Sequence, residues 1–305
     1  STPKPSSAAS DVYKRQMVST LNYPETIPAQ KQNQQPGLEK LMNPKPIYDD
    51  PEYKGTGKLK NKVAIITGGD SGIGKAVAIA YAKEGAKIAI IYLNEHEDAK
   101  DTKKIIDDKG SSCLTIPGDI GDDQFCKDAV DKIIKEYGKI DILVNNAGEQ
   151  HPQNSIEDIT KEQLERTFKT NIFAMFYMTK AVMPYLKSGD SIINTASITA
   201  YKGNETLIDY SSSKGAIVSF TRSLSLSLEN RSIRVNAIAP GPIWTPLIPS
   251  TFSDYDVSQF GLDTPLGRPG QPAELAPSYV FLASNDSSYV SGQTLHINGG
   301  NILNG

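Results

Sequence analysis

Residues 63–74 read Val-Ala-Ile-Ile-Thr-Gly-Gly-Asp-Ser-Gly-Ile-Gly, and the order of residue types in this stretch decides the architecture. The apolar run 63–66 has strand length and is stopped by Thr67-Gly68-Gly69, after which apolar residues recur at helical spacing over 73–82. That is a strand, a glycine-rich turn and a helix. The glycines are spaced GxxxGxG: Gly68 permits the tight turn, Gly72 lets backbone approach a pyrophosphate, and Gly74 lets the helix lie close to the sheet. Amides at a helix N-terminus offer donors and a positive dipole to phosphate, with Asp70, Ser71 and Ile73 completing the loop. Such a turn alone is a weak signal, because many glycine-rich turns are ordinary loops. Its place directly after the first strand gives it weight.

Working outward, the alternation continues. Strands are predicted at 87–92, 113–116, 140–144, 191–194, 233–238 and 294–297. Helices are predicted at 96–108, 122–137, 161–186, 210–228 and 272–283. Strands that alternate with helices imply parallel pairing with right-handed crossovers, and hence an α/β fold of seven parallel strands covered on both faces. Nothing between residues 60 and 305 suggests a second domain.

A net charge of -3 and a pI near 5.7 leave no basic excess for a phosphodiester backbone, so no nucleic-acid partner is expected. Cys113 and Cys126 lack CxxC spacing and read as reduced thiols, which fits a cytoplasmic setting. No metal site is expected. No apolar run reaches the roughly eighteen residues of a membrane span, and no export signal is read at the N-terminus.

The N-terminal stretch is read apart from the domain. Residues 1–16 end in Asp11-Val12-Tyr13-Lys14-Arg15-Gln16, which matches the in-frame translation of a transposon adapter used in DNA library preparation, so Met17 is the expected start. Residues 17–59 are rich in Pro, Gln, Asn and Lys without periodicity and read as an extended arm. Two alternatives stand: a disordered tail, or an arm anchored by Leu38, Leu41, Met42, Pro44, Ile47 and Tyr48 on a neighbouring surface such as a second subunit.

The carboxyl edge of such a sheet binds ligands. Asp119-Ile120 follows the third strand, where Asp119 is placed to accept from an adenine amino group, and Asn146-Ala147-Gly148 closes the fourth strand with small and amide residues. Cofactor choice rests on the end of the second strand, at Tyr92-Leu93, where an acid would hold a free 2′-hydroxyl and an Arg a 2′-phosphate. Neither is there. The following Asn94-Glu95-His96-Glu97-Asp98 is acidic overall and repels a phosphate, so NAD is expected over NADP.

Ser197, Tyr210 and Lys214 are spaced S-x12-Y-x3-K, which puts Tyr210 and Lys214 on one helix face. A phenol with a pKa near 10 is a poor base at neutral pH unless a nearby cation stabilises its anion. Lys214, together with the cation of an oxidised nicotinamide cofactor, is expected to supply that charge, and Ser197 to steady the substrate oxygen. The substrate walls are expected from 149–155, 198–206 and 244–262, the last as a mobile lid, with Gln150 and His151 candidates to touch a polar substrate oxygen against the plainer reading of His151 as a surface loop histidine.

From about Lys60 onward the chain resembles the short-chain dehydrogenase/reductase family. The residues that carry the resemblance are TGGDSGIG from Thr67, Asp119-Ile120, NNAG from Asn145, then Asn171, Ser197, Tyr210, Lys214 and Pro240-Gly241. It implies a single doubly wound Rossmann domain and an NAD(P)-dependent oxidoreductase that moves a hydride to or from a small alcohol or carbonyl compound, with Tyr210 as acid/base. It also implies that Asn171 holds a water in a proton relay to Lys214, that Lys214 contacts the nicotinamide ribose, that Ile243 and Thr245 face the carboxamide, and that the protein is a homotetramer. The arm resembles that of a bacterial subgroup of general stress proteins, aldehyde reductases and glucose/ribitol-type dehydrogenases, which implies an aldehyde, sugar or polyol substrate. The chain departs from the usual NAD pattern in lacking an Asp at Tyr92 or Leu93. The competing reading is a non-catalytic dinucleotide-binding sensor on the same fold.

Overall fold

The computed structural model describes residues 21–303. Residues 1–16, read above as adapter-derived, lie outside the described residues.

β1 (Val63–Thr67), β2 (Lys87–Tyr92), β3 (Cys113–Pro117), β4 (Ile142–Asn145), β5 (Ser191–Thr195), β6 (Arg234–Pro240) and β7 (Thr294–Ile297) form one parallel sheet in the order β3-β2-β1-β4-β5-β6-β7. The expected seven-stranded, doubly wound sheet is the one found. Its register sets Val63 against Lys87 on one side of β1 and Ala64 against Ile142 on the other. The order reverses between β1 and β4. This is the switch point whose crevice takes ligands in open α/β sheets.

Side chains alternate across the sheet with period two, so each strand feeds two cores. Ala64, Ile66, Ile88, Ile90, Ile142 and Val144 pack beneath the helices Gly72–Lys83 and Pro272–Ala283. Val63, Ile65, Ala89, Ile91, Leu143 and Ile192 face the opposite layer, which includes Asp123–Tyr137 and Ala174–Val182. Both faces of β1 are therefore dry, and all its residues are buried. Burial of Cys113 and Cys126 pushes each thiol up to about 12, so both are inert and unpaired.

Three local differences from the sequence reading matter. The region expected as one helix over 161–186 is Lys161–Phe168, a π-helical turn at Lys169–Phe173, and Ala174–Val182. The helix expected from 210 starts earlier, as Ile208–Ser227, so Tyr210 lies inside its first turn. The segment expected as a mobile lid contains two short helices, Leu247–Thr251 and Asp254–Gln259, and its Trp244 is fully buried.

The arm is packed against its own chain. Ile27 and Met42 bury their side chains with Trp244, Ile248 and Val257, and the Trp244 indole donates to the Pro44 carbonyl at 2.9 Å. Ile47 donates to the Gln271 side chain and accepts from Ala273, both at 2.9 Å. Tyr48 stacks under the Lys75 ammonium at 4.0 Å. Of the anchors expected to reach a neighbouring surface, Leu41 alone stays largely exposed, at 58%. Several of the described arm's backbone polar groups find partners on the domain, among them Gln32 with Pro249 and Glu39 with Asp98.

Candidate active site

All the expected site residues except Gly74 and Asn171 line one cleft of about 1000 Å³ along the carboxyl edge of the sheet. The two exceptions stand directly behind its wall.

At the glycine turn, Gly68 and Gly72 have φ of 62° and 53°, a region that favours glycine. A Cβ on Gly74 would sit 2.0 Å from the Gly68 carbonyl oxygen, which is why the helix can lie so close only with glycine there. The turn is stapled to β4: the Thr67 hydroxyl accepts from the amides of Asn146 and Ala147 at 2.9 and 3.1 Å. The Asn146 side chain in turn donates to the carbonyls of Thr67 and Gly68 at 3.1 and 3.2 Å. A Cβ on Gly72 would lie 3.1 Å from the Thr245 methyl, so the loop after β6 closes onto the same turn. These features fit a dinucleotide, with backbone brought close at the switch point, although the Gly72 amide is itself taken by the Glu39 carboxylate at 2.9 Å.

The far end of the cleft is acidic. Asp70 is buried, and that burial together with Glu95 raises its carboxyl to about 7. Tyr92 is raised as well, first by burial and then by Asp70, and its hydroxyl meets His96 Nδ1 at 3.0 Å. Leu93 is more than a third exposed, and Ile120 packs into the core beneath. Asp119 is already engaged: it accepts from the Gly121 amide at 2.7 Å and pairs with Lys169 at 3.3 Å. Pro240 accepts from the Ile198 amide, Gly241 donates to Ile297, and Ile243 bridges to Gly270.

At the other end, Ser197, Tyr210 and Lys214 meet, each less than a tenth exposed. The Tyr210 hydroxyl is hydrogen-bonded to Ser197, whose Oγ also accepts from the amide and hydroxyl of Thr199, both at 3.1 Å. Lys214 Nζ donates to the Thr195 carbonyl at 2.9 Å and stands 5.4 Å from the centroid of the Tyr210 ring. Asn171 is fully buried in the π-helical turn and donates to the Glu149 carbonyl and the Ser213 hydroxyl, both at 3.0 Å. A Cβ on Gly148 would lie 3.2 Å from Asn171 Oδ1 and 3.4 Å from Lys214 Nζ, so the two groups face each other across a glycine.

Among the chain's own groups burial dominates at Tyr210, raising the phenol to about 12 against the opposing Ser197 bond, so the expected lowering rests on positive charge from Lys214 and the oxidised nicotinamide acting together. Burial likewise lowers Lys214 to about 8, because its ammonium has only a carbonyl for company. His151 does not line the cleft, in keeping with the plainer loop reading, and its Nε2 points toward Glu149 Oε1 at 3.8 Å. Glu149, Gln150, Lys202 and Asn204 do line it, and Arg166 and Thr170 hold the Glu149 carboxylate in place.

Sequence reasoning passed over three wall residues from the arm, Gln35, Pro36 and Gly37. The available signal was the Pro-Gly turn dipeptide inside the Gln-rich stretch.

Comparison with known proteins fits this geometry. The family described as enoyl-(acyl carrier protein) reductase matches residues 68–301. General stress protein 39 of Bacillus subtilis is 62% identical over 282 residues, 92% of this chain and 99% of that protein. Glucose and ribitol dehydrogenase of Daucus carota is 52% identical, covering 92% and 98% of the two chains. The chloroplastic NADPH-dependent aldehyde reductase 1 of Arabidopsis thaliana is 49% identical, covering 90% and 98%. Among solved structures, a Burkholderia cenocepacia short chain dehydrogenase in complex with NADP superposes with a TM-score of 0.75 at 30% identity, covering 80% of this chain and 98% of that one. A 3-ketoacyl-(acyl-carrier-protein) reductase from Brucella melitensis complexed with NADH gives 0.72 at 34% identity, covering 79% and 98%. The chain belongs to the short-chain dehydrogenase/reductase family. It is an NAD(P)-dependent oxidoreductase.

Proposed function

We propose that the protein interconverts a small alcohol and its carbonyl compound, an aldehyde, sugar or polyol, with Tyr210 as the proton carrier. The observation that carries this reading is the convergence of Tyr210, Ser197 and Lys214 at one buried end of the cleft, with Asn171 behind Gly148. A bound nicotinamide would supply or accept the hydride. Gly68, Asp70, Ser71, Gly72, Ile73 and Gly74 would hold its pyrophosphate, Tyr92, Leu93, Asp119 and Ile120 its adenosine, and Asn146, Ala147, Gly148, Pro240, Gly241, Ile243 and Thr245 its nicotinamide half.

Within that frame the chain's own groups divide the work. Ser197 donates to the substrate oxygen and orients it toward Tyr210. The Tyr210 hydroxyl gives its proton to that oxygen on reduction and recovers one through the Lys214 side of the pocket. A positive Lys214 steadies the phenolate, and Asn171 fixes the backbone at Glu149 so that the proton path past Gly148 stays open. Aldehyde and polyol substrates are supported by the polar wall of Glu149, Gln150, Lys202 and Asn204, and by the names of the plant relatives. Assaying the full chain with NADH and NADPH against aliphatic aldehydes, and with the oxidised cofactors against sugars and polyols, tests the reading. Absence of turnover with every pair would overturn it in favour of the sensor.

NAD is the proposed cofactor. The support is the acidic pair Asp70 and Glu95 beside Tyr92, since a 2′-phosphate there would meet carboxylates and no arginine lines that end of the cleft among the described residues. NADH is expected to bind at least ten-fold more tightly than NADPH, and Asp70→Asn to narrow that gap. Because Asp70 ionises at about 7, discrimination is expected to sharpen as the pH rises from 6 to 8. Tighter binding of NADPH by the unaltered protein would refute the assignment.

The proposed assembly is a cytoplasmic homotetramer. Its support is an apolar strip on neighbouring helices, where Leu164, Phe173 and Phe176 are each exposed by more than 40% and Phe176 stacks on Phe220 at 4.6 Å. Light scattering after size exclusion is expected to give four times the chain mass, and a monomeric mass would contradict it. Among the described residues no helix is long and apolar enough to cross a membrane.

A further inference from the structure

The arm crosses the mouth of the cleft at the switch point, and its two anchors lie on opposite banks. On the bank after β4, the Gln35 side chain pairs with the Gln150 backbone in both directions. Its Nε2 donates to the Gln150 carbonyl at 3.0 Å, and its Oε1 accepts from the Gln150 amide at 3.1 Å. On the bank after β1, the Glu39 carboxylate accepts from the Gly72 amide at 2.9 Å and pairs with Lys75 at 2.7 Å. Both Glu39 and Lys75 are buried, and Ser71, at the head of that helix, makes no side-chain cap of its own. Between the anchors Pro36 and Gly37 face into the cleft. Gly37 lies against the loop after β6 so closely that a Cβ there would sit 2.3 Å from the Pro246 carbonyl oxygen.

Gly72, residues 146–148 and residues 35–37 line the same cleft, at the switch point where open α/β sheets take dinucleotides. We propose that residues 35–39 are a latch over the bound cofactor, with Gln35 as its releasable end and Glu39 as its fixed one. The asymmetry follows from the bonds. The Glu39 end is a buried ion pair that also caps a helix, whereas the Gln35 end is a neutral pair of hydrogen bonds to a loop. Cofactor exchange then requires Gln35 to leave Gln150, and the latch sets the rate of cofactor release. This rests on the dinucleotide-binding reading of the cleft.

The test follows release of reduced nicotinamide cofactor from the full chain by stopped-flow displacement, using whichever of NADH and NADPH binds more tightly. Gln35→Ala removes both bonds to Gln150. Gly37→Ala opens the same latch differently, by driving a methyl group into Pro246, so a folding defect in one variant leaves the other to decide. Trp244, the single tryptophan of the chain, is buried against the arm at Pro44, so its emission reports whether the rest of the arm stays docked. Release is expected to accelerate roughly ten-fold or more in both variants with Trp244 emission unchanged. Release rates within two-fold of the parent would overturn the latch while leaving the cofactor site intact. Faster release with a red-shifted Trp244 emission would also overturn it, by assigning the effect to general undocking of the arm. A parent protein that binds neither cofactor removes the latch and the proposed function together.

Discussion

Tyr210→Phe is expected to lose about 10²–10⁴-fold in turnover while the Kd for the reduced cofactor stays within a factor of about two. The substitution keeps the ring and deletes only the hydroxyl, so the buried volume at the head of Ile208–Ser227 is conserved. What disappears is the hydroxyl proposed as proton donor and its bond to Ser197. The phenol is raised to about 12 by burial in the structure, and the low-dielectric surroundings that raise it also magnify any positive charge brought near. Alcohol oxidation, which needs the phenolate, is therefore expected to quicken as pH rises, and carbonyl reduction to be flatter. Rates in both directions between pH 6 and 10 check this, and retained turnover in the variant would remove Tyr210 from the chemistry.

Lys214→Met is expected to abolish turnover to a similar degree and to make the protein more stable at pH 7. Lys214 is fully buried with no carboxylate partner, and its pKa is lowered from 10.5 to about 8. That lowering corresponds to roughly 3 kcal/mol of folding free energy spent on holding a charge in the core. The folded-state pKa lies below the unfolded value, so between 8 and 10.5 the unfolded chain binds more protons and stability rises with pH. The cost is present in full below about 8 and is gone above about 10.5. Methionine matches the shape without the charge, so thermal melting at pH 7 is expected to rise by several degrees. The difference should shrink by pH 10. A variant that melts lower than the parent at pH 7 would show that the lysine's bond to the Thr195 carbonyl outweighs its desolvation.

The parts of the fold that were legible in the sequence are those where one local rule decides the outcome. β1 is a short apolar run stopped by glycines, and β7 has its observed limits at the expected ones. Tyr210 and Lys214 fall on one helix face because their spacing is four residues. Asn171 was recognised only through resemblance. Its burial depends on the π-helical turn Lys169–Phe173, an extra residue per turn that periodicity over 161–186 does not reveal. The arm was illegible for a different reason: its stability comes from partners far away in sequence, such as Gln150, Trp244 and Gln271, and not from any pattern of its own. The burial that raises Tyr210 and lowers Lys214 was not legible, because charge proximity is visible in spacing, whereas depth of burial is not.

The way the arm is held also orders the events of biosynthesis. Its contacts close loops of great length, 200 residues from Pro44 to Trp244 and 224 from Ile47 to Gln271. Non-local contacts of this kind form late, since the chain entropy they consume is repaid only when both ends exist. The segment that leaves the ribosome ahead of the domain is thus among the last to find its place, and a nascent chain emerges with Ile27 and Met42 uncovered until the residues around Trp244 and Val257 have been made. Completion of the cleft wall by residues 35–37 thereby becomes a mark of a finished polypeptide.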